Sequence, residues 1–561
     1  MKDSERHHFS IKHNNSIRMK YQIFNFFFGT LVLLLCLVSC KPPESFNIVI
    51  QDGQIFDGMG NPPMEGNIGI KDGKMFLLAP NQKFQAEQII STEGLIIAPG
   101  FIDVHSHTPE GMINPERNAN ECFIRQGVTT VVGSPDGYWS LEDFKMFIDT
   151  IPKVGIGTNI AGYIGHNGVR RAVMGSDQQR KPTEDELEKM KADIAEAMSL
   201  GALGLSTGLM YPPGMFSETE EIIELSKIAA NYNGIYDSHV RDPVNDWLGS
   251  NNEVMRIGRE AEIPAKMGHI KAVGLKNTGK TKELIESVEQ ALAEGLNLVS
   301  DQYPYDGAGG RITLRSVLIP TGDPLVNMSL GQNPVADMRP YLETEKARNA
   351  AKRFTENGIN NGFSWVKAVG YDGLRIVDSY DYPDLVGQYI SEIAIDRKKD
   401  PFAVIADLIV HSSKPIQVKG GIAESDIRAL LLQPWNMIAS DGLLVTEEDP
   451  NIGHPRSTGT FPKVLGRYVR IEGILSMEEA IRKMTSFPAD FVGLSSRGRI
   501  ANGLPADIVI FDPRTIIDLS TYTDPNRFAK GIIHVLVNGE FVLNHEKITS
   551  NRPGLFLRRE R

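Results

Sequence analysis

The sequence has few cysteines, no excess of positive charge and no long hydrophobic run. Three cysteines in 561 residues exclude a disulfide framework and a cysteine-rich zinc module. Two of them, Cys36 and Cys40, lie in an N-terminal apolar stretch, leaving Cys122 alone in the body. Any metal site therefore has to be built from histidines and carboxylates. Lys and Arg number 59 against 70 Asp and Glu, a formal net charge of −11. An acidic chain lacks the electrostatic footprint of a nucleic-acid binder, so no nucleic-acid partner is expected. The apolar run from Phe26 to Val38 falls short of a transmembrane helix, which needs about 20 residues. What is present is a globular composition, 41% hydrophobic and 23% charged, with ample material for a core.

The N-terminal run suits the core of a signal peptide. A polar, basic leader precedes it (Lys2, Arg6, Lys12, Arg18, Lys20), and it ends at Leu37-Val38-Ser39-Cys40 before Lys41-Pro42-Pro43. That ending resembles a bacterial lipobox. Residues 1–40 are expected to form a signal peptide, cleaved before Cys40, with Cys40 as the lipid anchor. The protein would then be exported and held on a bacterial membrane, facing the periplasm or the cell exterior. The leader is long for this purpose, and Met19-Lys20 would make a more ordinary start.

Residues 45–98 alternate short β-type runs with Asp52-Gly53 and Asp72-Gly73, a hairpin pattern. Residues 498–561 do the same, with Asn538-Gly539 after Ile532–Val537. Two β-rich ends around one long middle predict a small β-sandwich domain assembled from both termini. The middle, residues 99–497, alternates strand and helix. Candidate strands end at His105/His107, Asp136, His166, Thr207, His239, His269, Asp301 and Asp441. Six successive separations are about 30 to 40 residues, the unit of an eightfold α/β barrel of about 250 residues. Helices are predicted over 184–200, 218–231 and 282–294 from apolar spacings of three and four. The last separation is about 140 residues, too long for one crossover, so a lid-like insertion is placed at about 306–380. The predicted fold class is thus α/β: a (β/α)8 TIM-type barrel with an inserted lid and a small β domain.

The apolar segment Pro99–Val104 leads into His105-Ser106-His107. Side chains alternate along a strand, so both imidazoles face one side. His239 and His269 end the fifth and sixth strands and Asp441 the eighth. Barrel enzymes carry their chemistry at these C-terminal strand ends, and neutral imidazole with carboxylate suits a zinc-like metal. Asp441 is also a carboxylate able to take a proton from a water beside such a metal; a purely metal-holding role is the alternative. Lys271 shares a strand face with His269. His166 either hydrogen-bonds a reacting carbonyl or satisfies the barrel mouth. Cys122, beside Phe123 and Ile124, reads as a buried structural thiol.

These residues lie within strings that resemble the metal-dependent amidohydrolases, and within them the N-acyl-D-amino-acid deacylase (D-aminoacylase) family. The strings are PGFIDVHSH at 99–107, GVTTVV at 127–132, GLSTGLMYPPG at 204–214, SHVR at 238–241, GHIK at 268–271, DQYPY at 301–305, SDG at 440–442, HPR at 454–456, GTFPKVLGRYV at 459–469 and RGRIANGLPADIVIFDP at 497–513. The resemblance implies one or two zinc ions held by His105, His107, His239, His269 and Asp441. It implies a substrate-carboxylate clamp of Arg456, Lys271 and Tyr303, with Tyr211 in the substrate pocket. The family's usual bridging cysteine after strand two is replaced by Asp136, which either ligates metal through oxygen or serves as a turn residue before Gly137. The stretch holding strand four has no lysine between Lys191 and Lys227, which counts against a cyclic-amide hydrolase that bridges its metals with a carboxylated lysine. The implied reaction is zinc-dependent hydrolysis of small N-acyl-D-amino acids. A D-specific or β-aspartyl dipeptidase on the same barrel, and a non-catalytic binding lipoprotein, are the alternatives. Oligomeric state is not legible.

Overall fold

In a computed structural model, which describes residues 44–310, 312–318, 342, 344–358, 363–450 and 453–560, the middle of the chain forms eight parallel strands. They are β1 (Phe101–Asp103), β2 (Val128–Gly133), β3 (Asn159–Gly162), β4 (Gly204–Gly208), β5 (Ile235–His239), β6 (Ala265–Met267), β7 (Leu298–Gln302) and β8 (Asn436–Ile438). Neighbours in that order pair side by side from β1 to β3 and from β4 to β8. Between the two groups, Ile164–Gly165 continues past β3 and pairs with Leu205 and Ser206 of β4. The ring closes where β8 meets β1. There Ser440 donates from its N–H (3.0 Å) and hydroxyl (2.5 Å) to the carboxylate of Asp103, and Gly442–Leu443 runs parallel to Ser106–His107.

The strands are short and apolar because both of their faces are covered. Every residue of β2, VTTVVG, is buried, as expected of a parallel sheet wrapped by helices. The helix Glu184–Ser199 starts at a reciprocal cap between Thr183 and Glu186 and buries Met190, Ile194, Ala197 and Met198. Their spacing is one face of a 3.6-residue helix, and each large apolar side chain so buried stabilises the fold by about 1.5–3 kcal/mol. The three predicted helices appear as Glu184–Ser199, Thr219–Ala230 and Thr281–Ala293, within a residue or so of the pattern. Cys122 is buried in the short helix Glu121–Ile124, where its sulfur accepts from the Val445 N–H (3.5 Å) and burial pushes the thiol up to about 12.

Between β7 and β8 lies an inserted unit. Gly307–Ala308, Leu374–Asp378 and Gln417–Gly421 form a three-stranded antiparallel sheet, accompanied by helices Glu345–Asn357, Trp365–Val369, Ile390–Arg397 and Pro401–His411. The insertion therefore runs on to Gly421 rather than ending near 380, because its central strand comes last in sequence. His166, expected at a strand end, is the first residue of helix His166–Met174.

Two further sheets follow, the first from N-terminal strands alone and the second from both termini. One takes strands Glu44–Gln51, Asn67–Lys71, Lys74–Leu78 and Phe84–Ser91. The other joins Gln54–Ile55 and Ile96–Pro99 to Ile508–Phe511, Ile532–Val537, Glu540–Asn544 and Lys547–Ile548. Ile48, Ile50, Ile68 and Met75 of the first share an apolar cluster with Ile97, Ile508, Ile510 and Leu536 of the second. The leader and Cys40 lie outside the described residues. Among the described residues no helix is long and apolar enough to cross a membrane.

Candidate metal centre and active site

The barrel brings four imidazoles and two carboxylates to one end. His105 and His107 follow β1, Asp136 follows β2, His239 ends β5, His269 follows β6 and Asp441 follows β8. Their donor atoms fall into overlapping groups of three, each within 4.8 Å: His105, His107 and Asp136; Asp136, His239 and His269; and His105, His269 and Asp441. Asp136 sits at the centre. Its Oδ1 lies 3.5 Å from His105 Nε2 and 3.6 Å from His269 Nε2, and its Oδ2 lies 3.6 Å from His107 Nε2 and 3.5 Å from His239 Nδ1. His239 Nδ1 and His269 Nε2 approach to 2.7 Å, and His107 Nε2 is 3.1 Å from Asp441 Oδ1.

Holding these groups together requires unusual backbone. Asp136 (φ 59°), His269 (φ 35°) and Asp441 (φ 50°) all occupy the left-handed region, which costs about 1–3 kcal/mol for a non-glycine residue and clusters at functional sites. The turn carrying Asp136 is fixed from below. Ser206 donates to the Ser134 carbonyl (2.6 Å) and accepts from the Gly137 N–H (3.2 Å), while the Ser134 hydroxyl accepts from the Trp139 N–H (2.9 Å). Gly137 has φ +78°, and a Cβ there would stand 2.7 Å from Asn167 Oδ1, so only glycine fits. Asp136 is thus both in a turn and, through its side chain, among the four histidines.

The residues fit a divalent metal. His105 Nε2 and Asp136 Oδ1 are buried with no hydrogen-bond partner in the protein, an arrangement that is costly unless a further group satisfies them. Of the far nitrogens, His269 Nδ1–H donates to the Gly268 carbonyl (2.5 Å), while His105 Nδ1 faces Asp301 Oδ2 at 3.6 Å without an aligned hydrogen bond. An outer hydrogen bond such as that of His269 fixes the tautomer that leaves the other nitrogen free to ligate. Nitrogen and oxygen donors of this kind suit zinc. Burial pushes Asp136 up, but His239, His269 and His105 outweigh it and hold it well below the usual carboxylate range. Burial likewise raises Asp441, and Arg456 and His269 overcome it to keep that carboxyl ionised.

Beside Asp441 lie the cations. Arg456 Nη1 comes 2.6 Å from Asp441 Oδ2, a close charge contact without hydrogen-bond alignment, since the same nitrogen has no aligned partner. Its guanidinium lies 4.7 Å from the centre of the Tyr303 ring, and the Lys271 ammonium lies 5.5 Å from it. The Tyr303 hydroxyl is buried and unpartnered. Lys271 donates to the His269 carbonyl (2.7 Å), and burial brings it down to about 8. A loop arginine amid glycine and proline is ordinarily solvated, yet Arg456 opens helix Arg456–Lys463 and is only 5% exposed. His454 explains this: its Nδ1 accepts from the Arg456 N–H (3.1 Å), and its Nε2–H donates to the Gly307 carbonyl (2.7 Å). Tyr211 packs edge-on against His239 at 4.7 Å and against Phe363 at 5.6 Å; Phe363 in turn meets Trp365 at 5.1 Å. The inserted unit therefore reaches Tyr211, beside His239, through Phe363.

His166 is the departure. Its Nε2 pairs with Glu221 (2.8 Å) and its Nδ1 faces Asn167 Oδ1 (3.4 Å). Glu221 is gripped as well by the fully buried Arg170. Both nitrogens face protein partners, which places His166 in a buried network with Glu221 and Arg170. Four further residues escape sequence reasoning: Asp237, Lys266, Asp301 as more than a strand end, and His454. A charged residue inside an apolar barrel strand is almost never buried unpaired; that signal was available in IYDSH and AKM.

A profile of the amidohydrolase family matches residues 407–543. The D-aminoacylase of Alcaligenes xylosoxydans xylosoxydans is 30% identical over 548 residues, covering 93% of this chain and 99% of that one. The N-acyl-D-glutamate deacylase of the same organism is 30% identical over 540 residues, covering 92% and 97%. Among solved structures, an N-acyl-D-glutamate deacylase from Bordetella bronchiseptica, complexed with zinc and a phosphonate that mimics the tetrahedral intermediate, superposes with a TM-score of 0.70. It shares 27% identity and covers 92% of this chain and 100% of its own.

Proposed function

The chain belongs to the D-aminoacylase family of amidohydrolases, enzymes that act on amide bonds, and from that premise we propose that it hydrolyses N-acyl-D-amino acids to a carboxylate and a free D-amino acid. One observation carries the reading: a cluster of metal donors and the buried Arg456 guanidinium share Asp441 as their common neighbour. A substrate amide would sit between them, with its α-carboxylate on the cations.

His105, His107, Asp136, His239, His269 and Asp441 would hold one or two zinc ions, which when bound lower the pKa of water toward 7 and polarise a carbonyl. The chain supplies the rest. Arg456 can grip the α-carboxylate through parallel N–H bonds, with Tyr303 Oη and the Lys271 ammonium completing the clamp. Clamping one end of the substrate fixes the distance of its amide from Asp441. Asp441, kept ionised by Arg456, is set to accept a proton from the attacking water and return it to the leaving amine. Tyr211, with Phe363 packed on it, would border the substrate beside His239.

Metal analysis together with a panel of N-acetyl-D- and N-acetyl-L-amino acids tests this. Zinc in the purified protein and turnover of the D-series support it. Release of amino acids from dipeptides but not from N-acetyl substrates would make it a dipeptidase, and binding without turnover would make it a non-catalytic protein. Export and attachment through a lipid on Cys40 remain part of the proposal, resting on the sequence of the leader; failure to incorporate a labelled lipid precursor would remove them.

A further inference from the structure

Beneath the metal ligands, inside the barrel, lie Asp237, Lys266 and Asp301, all with no exposed surface. Lys266 stands opposite Asp237 in the β5–β6 register. Its ammonium bonds to Asp301 Oδ2 and to the Val104 carbonyl (3.3 Å), and lies 3.0 Å from Asp237 Oδ1. The contact with Asp237 is one of charge alone, since neither oxygen of that carboxylate has an aligned hydrogen bond. The directional bonds go to Asp301 and to the residue before His105.

Asp301 passes this constraint upward. Its Oδ1 accepts from the backbone N–H of His269 (2.6 Å), and its Oδ2, the oxygen held by Lys266, lies 3.6 Å from His105 Nδ1. One carboxylate thus touches two metal ligands on different strands, and one ammonium fixes that carboxylate. The geometry separates the two carboxylates: Asp237 meets Lys266 without an aligned bond, whereas Asp301 takes the directional bond and carries it on to His269 and His105. Asp301 Oδ2 faces the Nδ1 edge of the His105 ring, which leaves the Nε2 edge, 3.5 Å from Asp136, directed at the cluster. Carboxylates behind ligating histidines act in this way.

We propose that Lys266 is a positioning residue for the metal centre: its ammonium holds Asp301 so that this carboxylate sets the orientation and tautomer of His105. The inference rests on the reading of the cluster as a metal site. Because Lys266→Met alone leaves two buried carboxylates without their cation, the decisive variant is Lys266→Met with Asp237→Asn, which removes the ammonium together with the carboxylate that faces it. Zinc affinity is read by chelator competition on metal-stripped protein, and ligand geometry by the visible absorption of the cobalt(II) form. The expected result is an affinity loss of about 10- to 100-fold with altered cobalt bands, and no further loss when the two changes are added to Asp301→Asn. A folded double variant with wild-type zinc affinity and cobalt spectrum overturns the proposal while leaving the metal site standing, even if its thermal midpoint has moved. Wild-type protein that binds neither metal overturns both readings.

Discussion

Replacing Arg456 by methionine should separate substrate grip from chemistry. Methionine keeps much of the volume in this buried place and removes the fork of donors. The guanidinium is 5% exposed and stacked 4.7 Å from the Tyr303 ring, so its bonds to a carboxylate would form away from water. A hydrogen bond between charged partners contributes about 1.5–3 kcal/mol, so two parallel bonds amount to about 3–6 kcal/mol. At about 1.4 kcal/mol per tenfold, that is a loss of roughly 10²- to 10⁴-fold in kcat/KM, mostly as a rise in KM. Arg456 also does the most to hold Asp441 below its usual range against burial. Its loss should therefore move the acidic limb of the kcat/KM profile to higher pH. The assay compares an N-acetyl-D-amino acid with the matching N-acetyl amine, which has no carboxylate to grip. The variant should lose the full factor on the first and little on the second, at unchanged zinc content. An equal loss on both substrates would show that Arg456 works only through Asp441 and would refute the clamp.

Three other outcomes are expected. Asp441→Asn that retains zinc should lower kcat by about 10²- to 10⁴-fold; undiminished turnover at full metal content would reduce Asp441 to a ligand. His166→Ala removes one partner of a buried carboxylate that Arg170 also holds, so it should cost about 1–3 kcal/mol of stability with KM unchanged. A collapse of kcat without a lower thermal midpoint would return His166 to the reaction. Lys483 donates to the carbonyl of Asn436 at the start of β8 (2.8 Å) and contacts that of Gln433, and burial brings its ammonium down from 10.5 to about 7. The unfolded chain then binds more protons between those values, so wild-type stability should rise with pH across about 7 to 10.5, a gain absent from Lys483→Met. Thermal midpoints of the two proteins that run parallel from pH 7 to pH 9 would contradict this.

Much of this was legible because periodicity and spacing are local properties. The His-x-His pair could be placed on one face because strand side chains alternate. The recurrence of chemistry-bearing residues every 30 to 40 positions reflects the length of one strand-helix unit. The helix predicted over 184–200 was legible from its apolar spacing, which is local, and the structure adds the cap at Thr183. The insertion was located but ended too early, because its sheet orders Gln417–Gly421 between two strands that precede it in sequence. No local pattern carries that information. For His166 the two readings could not be separated, because the deciding partner, Glu221, arrives from a helix 55 residues away.

The sequence by itself determined the donor types, their order along the chain and the barrel that carries them. It did so because an apolar strand ending in histidine keeps its meaning wherever it packs. Only the tertiary structure decided what each charge faces. Asp136 became the meeting point of four imidazoles through a left-handed turn. Arg456 was drawn from a loop that reads as solvated into a buried contact with Asp441. Lys266, an unlikely residue for an apolar strand, found two carboxylates at the barrel axis. Electrostatic energy depends on distances between side chains and on the water excluded around them, and neither quantity exists until the strands have closed into a ring.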